Sequence, residues 1–361
     1  MSKKTPLHSR HQALGAKLVD FAGWEMPLQY GSQLEEHAAV RSKYGMFDVS
    51  HMRPVDISGD RATEYLRYLL ANDVAKLKSD GHMLYTCLLT PQGGTIDDLI
   101  VCRRGSDNYR IVVNAGTTDK DLAWFQKHAE AYGVRVQARE DLGILAVQGP
   151  EARTIAAAQL PDDLAERALA LKPFAAAWDD DIFVSRTGYT GEDGFELILP
   201  QDALTRMWDA LAEAGVVPCG LGARDSLRLE AGLNLYGNDM DEDVSPLECG
   251  LAWTVAWAPE DRNFIGRDAL EKQRDVTARV AIGVIFEGRS MLRAHMPVRD
   301  AEQKRVGEIT SGGFSPTLKT SIGFARVAAH AEPPFEAEVR GRWSPLREAR
   351  PPFVRNGKVL V

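Results

Sequence analysis

The pattern of predicted elements changes near residue 278, and this change constrains the fold more than any other feature of the chain. Before it, apolar periodicity predicts helices at about residues 60–72 and 118–132 and after Pro200. Beyond it the sequence holds only short candidate strands, such as Val280–Phe286, punctuated by Gly and Pro. That second pattern is typical of a small all-β barrel or sandwich.

The first part of the chain also contains strand-like runs, which come in clusters instead of alternating strictly with helices. These runs are Leu84–Leu89, Thr95–Cys102, Tyr109–Asn114, Val134–Ala138, Ile144–Gln148, Ile182–Arg186 and Phe195–Leu199. Clustered strands favour an α+β fold over a doubly wound sheet. We therefore predict a first region over residues 1–277, with a distinct subdomain at about 55–137, and a β-barrel domain over 278–361. The charged stretch Glu271–Thr277 marks the expected boundary.

Composition and charge exclude several classes of function. The chain has 361 residues, 44% hydrophobic and 26% charged, which is ordinary for a globular protein. A formal net charge of −8 argues against nucleic-acid binding, because phosphate recognition needs a basic surface. The first dozen residues lack the apolar core of a secretory signal, and no run approaches the roughly 18 apolar residues of a membrane span. We expect a cytoplasmic protein with neither nucleic-acid nor membrane partners.

Standard catalytic and metal signatures are missing. The four cysteines are widely spread and form no CxxC pair, so we expect small buried thiols and no metal site. The sequence contains no GxxxxGK[ST], HExxH or GxSxG motif. Gly220–Asp225 imitates a dinucleotide fingerprint but lacks its third glycine, so an oxidoreductase is disfavoured.

Two aspartates interrupt an apolar strand just after the Gly93-Gly94 turn. Strand alternation sends Asp97 and Asp98 to opposite faces. Asp98 shares its face with Ile96 and Ile100, where desolvation raises the pKa of a carboxyl group and suits it to acid–base catalysis. A turn-stabilising or capping role is equally open for Asp98. Asp97 fits a structural role better.

Glu196 and Arg224 are candidates for binding a ligand. Glu196 lies in the apolar run Phe195–Leu199, where its carboxylate could accept paired hydrogen bonds from a 2-amino-pyrimidinone edge. On composition alone, an outward residue opposite a Lys or Arg is the commoner case. Arg224 falls in the first turn of a helix whose start is marked by glycines, and its fork suits a carboxylate. An ion pair with Asp225 or Glu230 is the simpler interpretation.

Five other polar residues have weaker signals. His51 has no partner at metal-ligand spacing, so a hydrogen-bonded structural histidine is favoured over a ligand. Tyr85, Asn114, Tyr189 and Tyr236 are plausible polar groups of a cavity, and core packing is the stronger expectation for each.

Seven segments, in order and spanning nearly the whole chain, resemble the T-proteins of glycine cleavage systems. They are Asp20–Pro27, Gly45–Met52, Gly94–Leu99, Thr187–Glu196, Gly220–Ala231, Leu235–Asp241 and Ile309–Leu318. Arg53 departs from the pattern, which has a small or uncharged residue after the His51-Met52 pair.

The resemblance implies a three-domain, cloverleaf-like arrangement around a central folate cavity, with a β-barrel as the last domain. It implies transfer of an aminomethyl group from the lipoyl arm of H-protein to tetrahydrofolate, giving 5,10-methylenetetrahydrofolate and ammonia. By the same resemblance, Asp98 is the catalytic acid and base, Glu196 binds the pterin and Arg224 holds the folate.

The resemblance carries further, less specific roles as well. Tyr85, Asn114, Tyr189 and Tyr236 match cavity residues, and Arg293 and Arg355 could meet the glutamate tail or H-protein. Two alternatives stay open: a folate-dependent demethylase of the same superfamily, and a non-catalytic folate-binding factor. The folate domains of sarcosine and dimethylglycine dehydrogenases carry an attached flavin domain, for which this chain is too short.

Overall fold

The computed structural model describes residues 2–361. Its α-helices are α1 (His8–Ala13), α2 (Gln33–Ser42), α3 (Ala62–Leu69), α4 (Thr118–Ala129), α5 (Ala152–Ala157), α6 (Asp162–Leu169), α7 (Gln201–Glu213), α8 (Leu221–Glu230) and α9 (Arg267–Arg274). Short 3-10 helices occur at Val74–Lys76, Glu130–Tyr132 and Ala252–Thr254.

The strands fall into two long series, one on each side of α9. Before α9 they are β1 (Lys17–Phe21), β2 (Trp24–Gln29), β3 (Gly45–Asp48), β4 (Arg53–Ser58), β5 (Met83–Leu89), β6 (Thr95–Gly105), β7 (Asn108–Val113), β8 (Arg135–Ala138), β9 (Leu142–Gln148), β10 (Ala176–Trp178), β11 (Phe183–Ser185), β12 (Gly194–Pro200) and β13 (Val217–Pro218). After α9 they are β14 (Arg279–Phe286), β15 (Pro297–Arg299), β16 (Arg305–Ser315), β17 (Thr320–Ala328), β18 (Phe335–Val339), β19 (Arg342–Glu348), β20 (Val354–Arg355) and β21 (Lys358–Val359).

The chain divides into two compact units, neither of which is a single stretch of sequence. Unit 1 contains the residues through Arg67 together with Val74–Tyr85 and Leu99–Asp225. Unit 2 contains Tyr68–Asp73, Thr86–Asp98 and Ser226–Val361. Strands β5 and β6 therefore each begin in one unit and end in the other.

Unit 1 is organised around a six-stranded mixed sheet with the order β10-β11-β12-β9-β3-β13. Strand β9 is buried along its whole length, which accounts for its nearly continuous apolar sequence. The apolar face of α7 packs in the same core through Leu204, Met207, Trp208 and Leu211, as its periodicity predicts. This sheet holds Glu196 in β12.

Unit 2 contains a closed barrel with the strand order β14-β17-β16-β15-β18-β19. Pairing of Val284 with Glu348 joins β14 to β19 and completes the closure. Inward side chains such as Val298, Ile309 and Ala325 fill the interior. The predicted α+β fold with a C-terminal β-barrel is therefore confirmed.

Most elements with a clear apolar period are where the sequence predicts them. The helix predicted at 118–132 is α4 followed by a 3-10 turn, and it ends at Gly133, whose φ of 63° is the left-handed conformation of a helix stop. A five-stranded sheet has the order β5-β6-β7-β4-β8. The subdomain at about 55–137 and the boundary near 278 stay predictions, and α9 already occupies the first half of the charged stretch Glu271–Thr277.

Three global features follow from the described residues. No helix among residues 2–361 is long and apolar enough to cross a membrane. All four cysteines are buried and unbridged, as the sequence predicts. No group of three or more His, Cys, Asp or Glu residues within this range is arranged to hold a metal ion.

Candidate functional site

The loop between β11 and β12 is shaped by the buried side chain of Gln148. Its Nε2 donates to the carbonyl oxygens of Thr187 at 3.1 Å and Phe195 at 3.3 Å, and its Oε1 accepts from the Thr190 hydroxyl at 3.0 Å. A Cβ on Gly188 would stand 1.9 Å from Gln148 Oε1. The amide and the loop therefore fit each other only because residue 188 has no side chain.

Glu196 lies in a strand, as the sequence predicts, but it is not opposite a Lys or Arg. Its cross-strand partners are Ser185 and Ala146, so no Lys or Arg stands directly opposite it. Thr187 Oγ1 donates to Glu196 Oε2 at 2.5 Å and orients the half-buried carboxylate. The expectation of an outward residue opposite a cation is wrong here.

Arg224 is placed by helix α8, whose start is packed tightly against β2. A Cβ on Gly220 would lie 2.4 Å from the Leu28 carbonyl oxygen, so a glycine allows this close approach. The half-buried Arg224 guanidinium stands 4.6 Å from the centre of the Tyr189 ring. Its Nη2 also lies 4.0 Å from Met52 Sδ.

The simpler expectation for Arg224, an ion pair with Asp225 or Glu230, is wrong. The Glu230 carboxylate accepts instead from Ser315 Oγ at 2.6 Å and Thr317 Oγ1 at 2.9 Å. Among residues 2–361, the Arg224 guanidinium makes its contacts with Tyr189 and Met52 and not with a carboxylate. Burial lowers the pKa of Arg224, while Tyr189 and Glu196 act to raise it. A half-buried guanidinium whose charge is not paired with a carboxylate is suited to an anionic or carbonyl-bearing ligand.

His51 lies beside Arg224 and is a functional candidate that sequence reasoning undervalued. Its side chain is buried, and its Nδ1 has no hydrogen-bond partner within the described chain. The ring meets Phe21 edge-on with 5.5 Å between centroids. Burial, together with the positive charge of Arg224, lowers the pKa of His51 to about 4, so the ring is neutral. The predicted hydrogen-bonded structural histidine is therefore wrong for this nitrogen.

The end of strand β3, just before His51, is fixed by a buried polar network around Asp48. The Asp48 carboxylate meets His11 Nε2 at 2.8 Å and accepts from Thr5 Oγ1 at 2.6 Å and from the Ser50 amide at 2.9 Å. The Tyr30 hydroxyl lies 2.8 Å from His11 Nδ1. Burial raises the pKa of Asp48, but the contact and charge of His11 and the hydrogen bonds from Thr5 and the Ser50 amide together outweigh it, so the net pKa is lowered.

In unit 2, Asp98 lies on β6 close to a tightly fixed strand start. The Thr95 amide donates to the Asp241 carbonyl at 2.9 Å, and the Tyr236 hydroxyl donates to the Thr95 carbonyl at 3.1 Å. A Cβ on Gly94 would lie only 1.6 Å from the Glu242 carbonyl oxygen. Asp97 is fully buried and Asp98 half-buried, and the roles expected for both stay predictions.

The structure thus groups some of the predicted site residues and leaves others apart. Within unit 1, Tyr189 and Arg224 are in contact, and the charge of Glu196 acts to raise the pKa of Arg224. Tyr85 and Asn114 are half-buried at the end of the unit 1 part of β5 and just after β7. Within unit 2, Tyr236 is half-buried against β6, and Arg293 and Arg355 are exposed.

Comparison with known proteins agrees with this fold. Residues 7–259 match the family model described as the GCVT N-terminal domain, and residues 279–355 match the glycine cleavage T-protein C-terminal barrel domain. A chain with this mixed sheet and this C-terminal barrel is a member of that fold class. The protein belongs to the glycine cleavage T-protein family.

A solved relative covers nearly the whole length of both chains. It is the glycine cleavage system aminomethyltransferase T of Bartonella henselae, which is 36% identical over 99% of each chain with a TM-score of 0.91. Heterotetrameric sarcosine oxidase from Corynebacterium sp. U-96 matches at 13% identity over 58% of this chain and 95% of the other, with a TM-score of 0.37. A protein from Agrobacterium tumefaciens matches at 16% identity over 48% and 91%, with a TM-score of 0.22.

Proposed function

We propose that this chain is the tetrahydrofolate-dependent aminomethyltransferase of a glycine cleavage system. Its donor is the aminomethyl group carried on the lipoyl arm of H-protein. The observation that carries the proposal is the half-buried Arg224 guanidinium over Tyr189 and near Glu196, in a chain 36% identical over its full length to an aminomethyltransferase T.

At the transferred carbon, two bonds break and two form. The carbon–sulfur bond of the aminomethyl arm and its carbon–nitrogen bond break, and the same carbon becomes bonded to N5 and N10 of the folate. The two protons released from the folate nitrogens are taken up by the departing amine, which leaves as ammonia, and by the arm sulfur.

The residues named above have distinct roles in this proposal. Asp98 gives a proton to the departing amine and takes one from a folate nitrogen, as a general acid and then a base. Glu196, oriented by Thr187, accepts hydrogen bonds from the amino-pyrimidinone edge of the pterin. Arg224 donates to the bound folate with its planar fork. Tyr85, Asn114, Tyr189 and Tyr236 are further candidates for contact with the folate.

Purified protein mixed with tetrahydrofolate and aminomethylated H-protein provides the test. We expect ammonia and 5,10-methylenetetrahydrofolate to form together, and only when H-protein is present. A parallel reaction offers methylated small molecules without H-protein. Product only in that second reaction would make the chain a folate-dependent demethylase, and folate binding without product in either would make it a non-catalytic folate-binding factor. The cytoplasmic location stays a prediction.

A further inference from the structure

We propose that helix α2 is the positioning element of the ligand site in unit 1. Glu36 fixes the start of α8, and Arg41 fixes the loop 187–194, so that the Arg224 guanidinium is held over the Tyr189 ring. The inference rests on the proposed function for its ligand, tetrahydrofolate, but the contacts that carry it are independent of that ligand.

Glu36 ties α2 to the helix that presents Arg224. Its side chain is buried, and Oε2 accepts from the Gly220 amide at 2.8 Å, one residue before α8 begins. Oε1 accepts from the Tyr30 amide at 2.7 Å and from the Gly31 amide at 3.3 Å. A buried carboxylate that receives three backbone N–H groups fixes the position of each segment that donates to it.

Arg41 ties the same helix to the loop that presents Tyr189. Its Nη1 donates to the Thr190 carbonyl and to Glu192 Oε1, both at 2.7 Å. The Arg41 side chain is 9% exposed and that of Glu192 2% exposed, so the pair is shielded from solvent. Thr190 and Glu192 are the first and third residues after Tyr189, which leaves the tyrosine backbone little freedom to move.

Helix α2 is capped and closely packed, so it fixes the distance between Glu36 and Arg41. Ser32 caps its start by accepting from the Glu35 amide at 3.4 Å. A Cβ on Gly45 of β3 would lie 2.7 Å from Val40 Cγ2 and 2.6 Å from Cys219 Sγ, so the helix packs closely on the sheet. Two attachments five residues apart on one helix are separated by about 7.5 Å along its axis.

The arrangement explains how an Arg–Tyr pair without a neutralising carboxylate keeps its geometry. A cation–π contact at a half-exposed site is worth only about 0.5–1 kcal/mol, which is too little to hold a helix and a loop together. The stronger charge-assisted bonds of Glu36 and Arg41 hold both elements, and the Arg224 donors stay directed at a ligand.

The first test measures affinity. We expect Arg41→Gln to raise the Kd for tetrahydrofolate about tenfold, the effect of one charge-assisted hydrogen bond, with kcat at saturation within about twofold of wild type. Arg110→Gln is the matched control, because Arg110 also forms a mostly buried ion pair in unit 1, with Asp56 at 2.7 Å. An equal rise in Kd in both variants, or none in Arg41→Gln, would overturn the proposal.

A double-mutant cycle tests whether Arg41 acts through Tyr189. We expect Arg41→Gln to add little to the loss of affinity already caused by Tyr189→Ala. Full additivity would contradict the positioning role. Glu192→Gln, which retains the bond from Arg41 to the Thr190 carbonyl, should give a smaller rise in Kd and serves in place of Arg41→Gln if that variant does not fold.

Amide hydrogen exchange without ligand tests the positioning role of α2 independently of folate binding. We expect Arg41→Gln to lower the protection of residues 187–194, and Glu36→Gln to lower it at residues 220–224, while Arg110→Gln changes neither. If wild type binds no folate, the proposed function fails and the exchange result still decides the role of α2. Unchanged protection in both variants would overturn the proposal.

Discussion

At the scale of single residues, the environment of His51 gives the most direct prediction about pH. Its pKa is lowered to about 4 by burial and by Arg224, so between about pH 4 and 6.5 the unfolded chain binds a proton that the folded chain does not. The free energy of unfolding should therefore fall as pH decreases across that window, by a total on the order of 3 kcal/mol. Ring NMR signals should titrate near pH 4.

His51→Gln isolates this effect. The variant removes the titrating ring, so its free energy of unfolding should depend less steeply on pH than that of wild type between about pH 4 and 6.5. Urea denaturation at several pH values gives both slopes. Identical slopes would show that His51 is not held neutral.

Arg224 and Glu196 should matter more for affinity than for stability. Because no carboxylate pairs with Arg224 in the described chain, Arg224→Ala leaves no buried partner unsatisfied. We expect an affinity for tetrahydrofolate about tenfold to a hundredfold lower, and a similar loss for Glu196→Ala, with Tm nearly unchanged. Calorimetric titration measures the loss. Arg224→Lys should restore little, because an ammonium lacks the planar fork.

Substitutions of the two adjacent aspartates of β6 should have different effects, one on turnover and the other on stability. Asp98→Asn should lower kcat by about 10²–10⁴-fold while folate still binds, because it removes the proposed acid and base. Asp97→Asn is the matched comparison: this carboxylate is fully buried, so the expected effect is a lower free energy of unfolding. Activity of Asp98→Asn within a few-fold of wild type would exclude the catalytic role.

Local sequence was a limited guide at this scale. The positions of Glu196 and Arg224 on a strand and at a helix start follow from residue pattern alone. Their partners do not, because the contacts of Arg224 with Tyr189 and Met52 join residues far apart in sequence. His51 was undervalued for the same reason: its unpartnered Nδ1 and its neighbour Arg224 are set by tertiary packing.

At the scale of elements, a substitution of Gly94 tests whether the close packing at the start of β6 contributes to stability. A methyl group there would meet the Glu242 carbonyl oxygen at 1.6 Å, and a backbone atom cannot swing aside. We expect Gly94→Ala to lower the free energy of unfolding by at least the roughly 1–3 kcal/mol of an overpacked site. Gly105→Ala, at the other end of the same strand, meets only Asn108 Cβ at 3.6 Å and should change stability little. Urea denaturation compares the two.

Elements with a strong apolar period were predictable, and the others were not. Helix α7 buries four apolar side chains at helical spacing, whereas α2 buries Glu36 and His37 alongside Val40. A helix whose buried face is largely polar gives no apolar period to detect. The sequence predicts only short strands after residue 278, but β16 runs from Arg305 to Ser315, because Gly312 and Gly313 also pair with β17.

At the scale of the whole molecule, unit 2 depends on two short segments from the first third of the chain. Arg262 donates to the carbonyls of Leu70, Ala71 and Asn72, and Thr95 bonds to Val244. The barrel, by contrast, has a core supplied only by residues after 278.

A fragment of residues 226–361 should therefore fold only in part. We expect the barrel amides after residue 278 to be protected from hydrogen exchange and residues 240–265 to exchange freely, because their partners at 68–73 and 86–98 are missing. The intact chain is the control. Equal protection across the whole fragment would show that those partners are dispensable.

Because unit 2 is built from segments far apart in sequence, its folding is delayed during synthesis on the ribosome. Residues 68–73 and 86–98 leave the exit tunnel long before residue 226, from which most of their unit is built. At about 5–20 residues per second, the intervening 128 or so residues take roughly 6–25 s to translate. Leu70, Leu88 and Leu89 are fully buried in the folded protein. During that time they lack the residues after 226 that complete unit 2. The yield of folded protein should thus depend on elongation rate and on chaperones that cover nascent apolar segments.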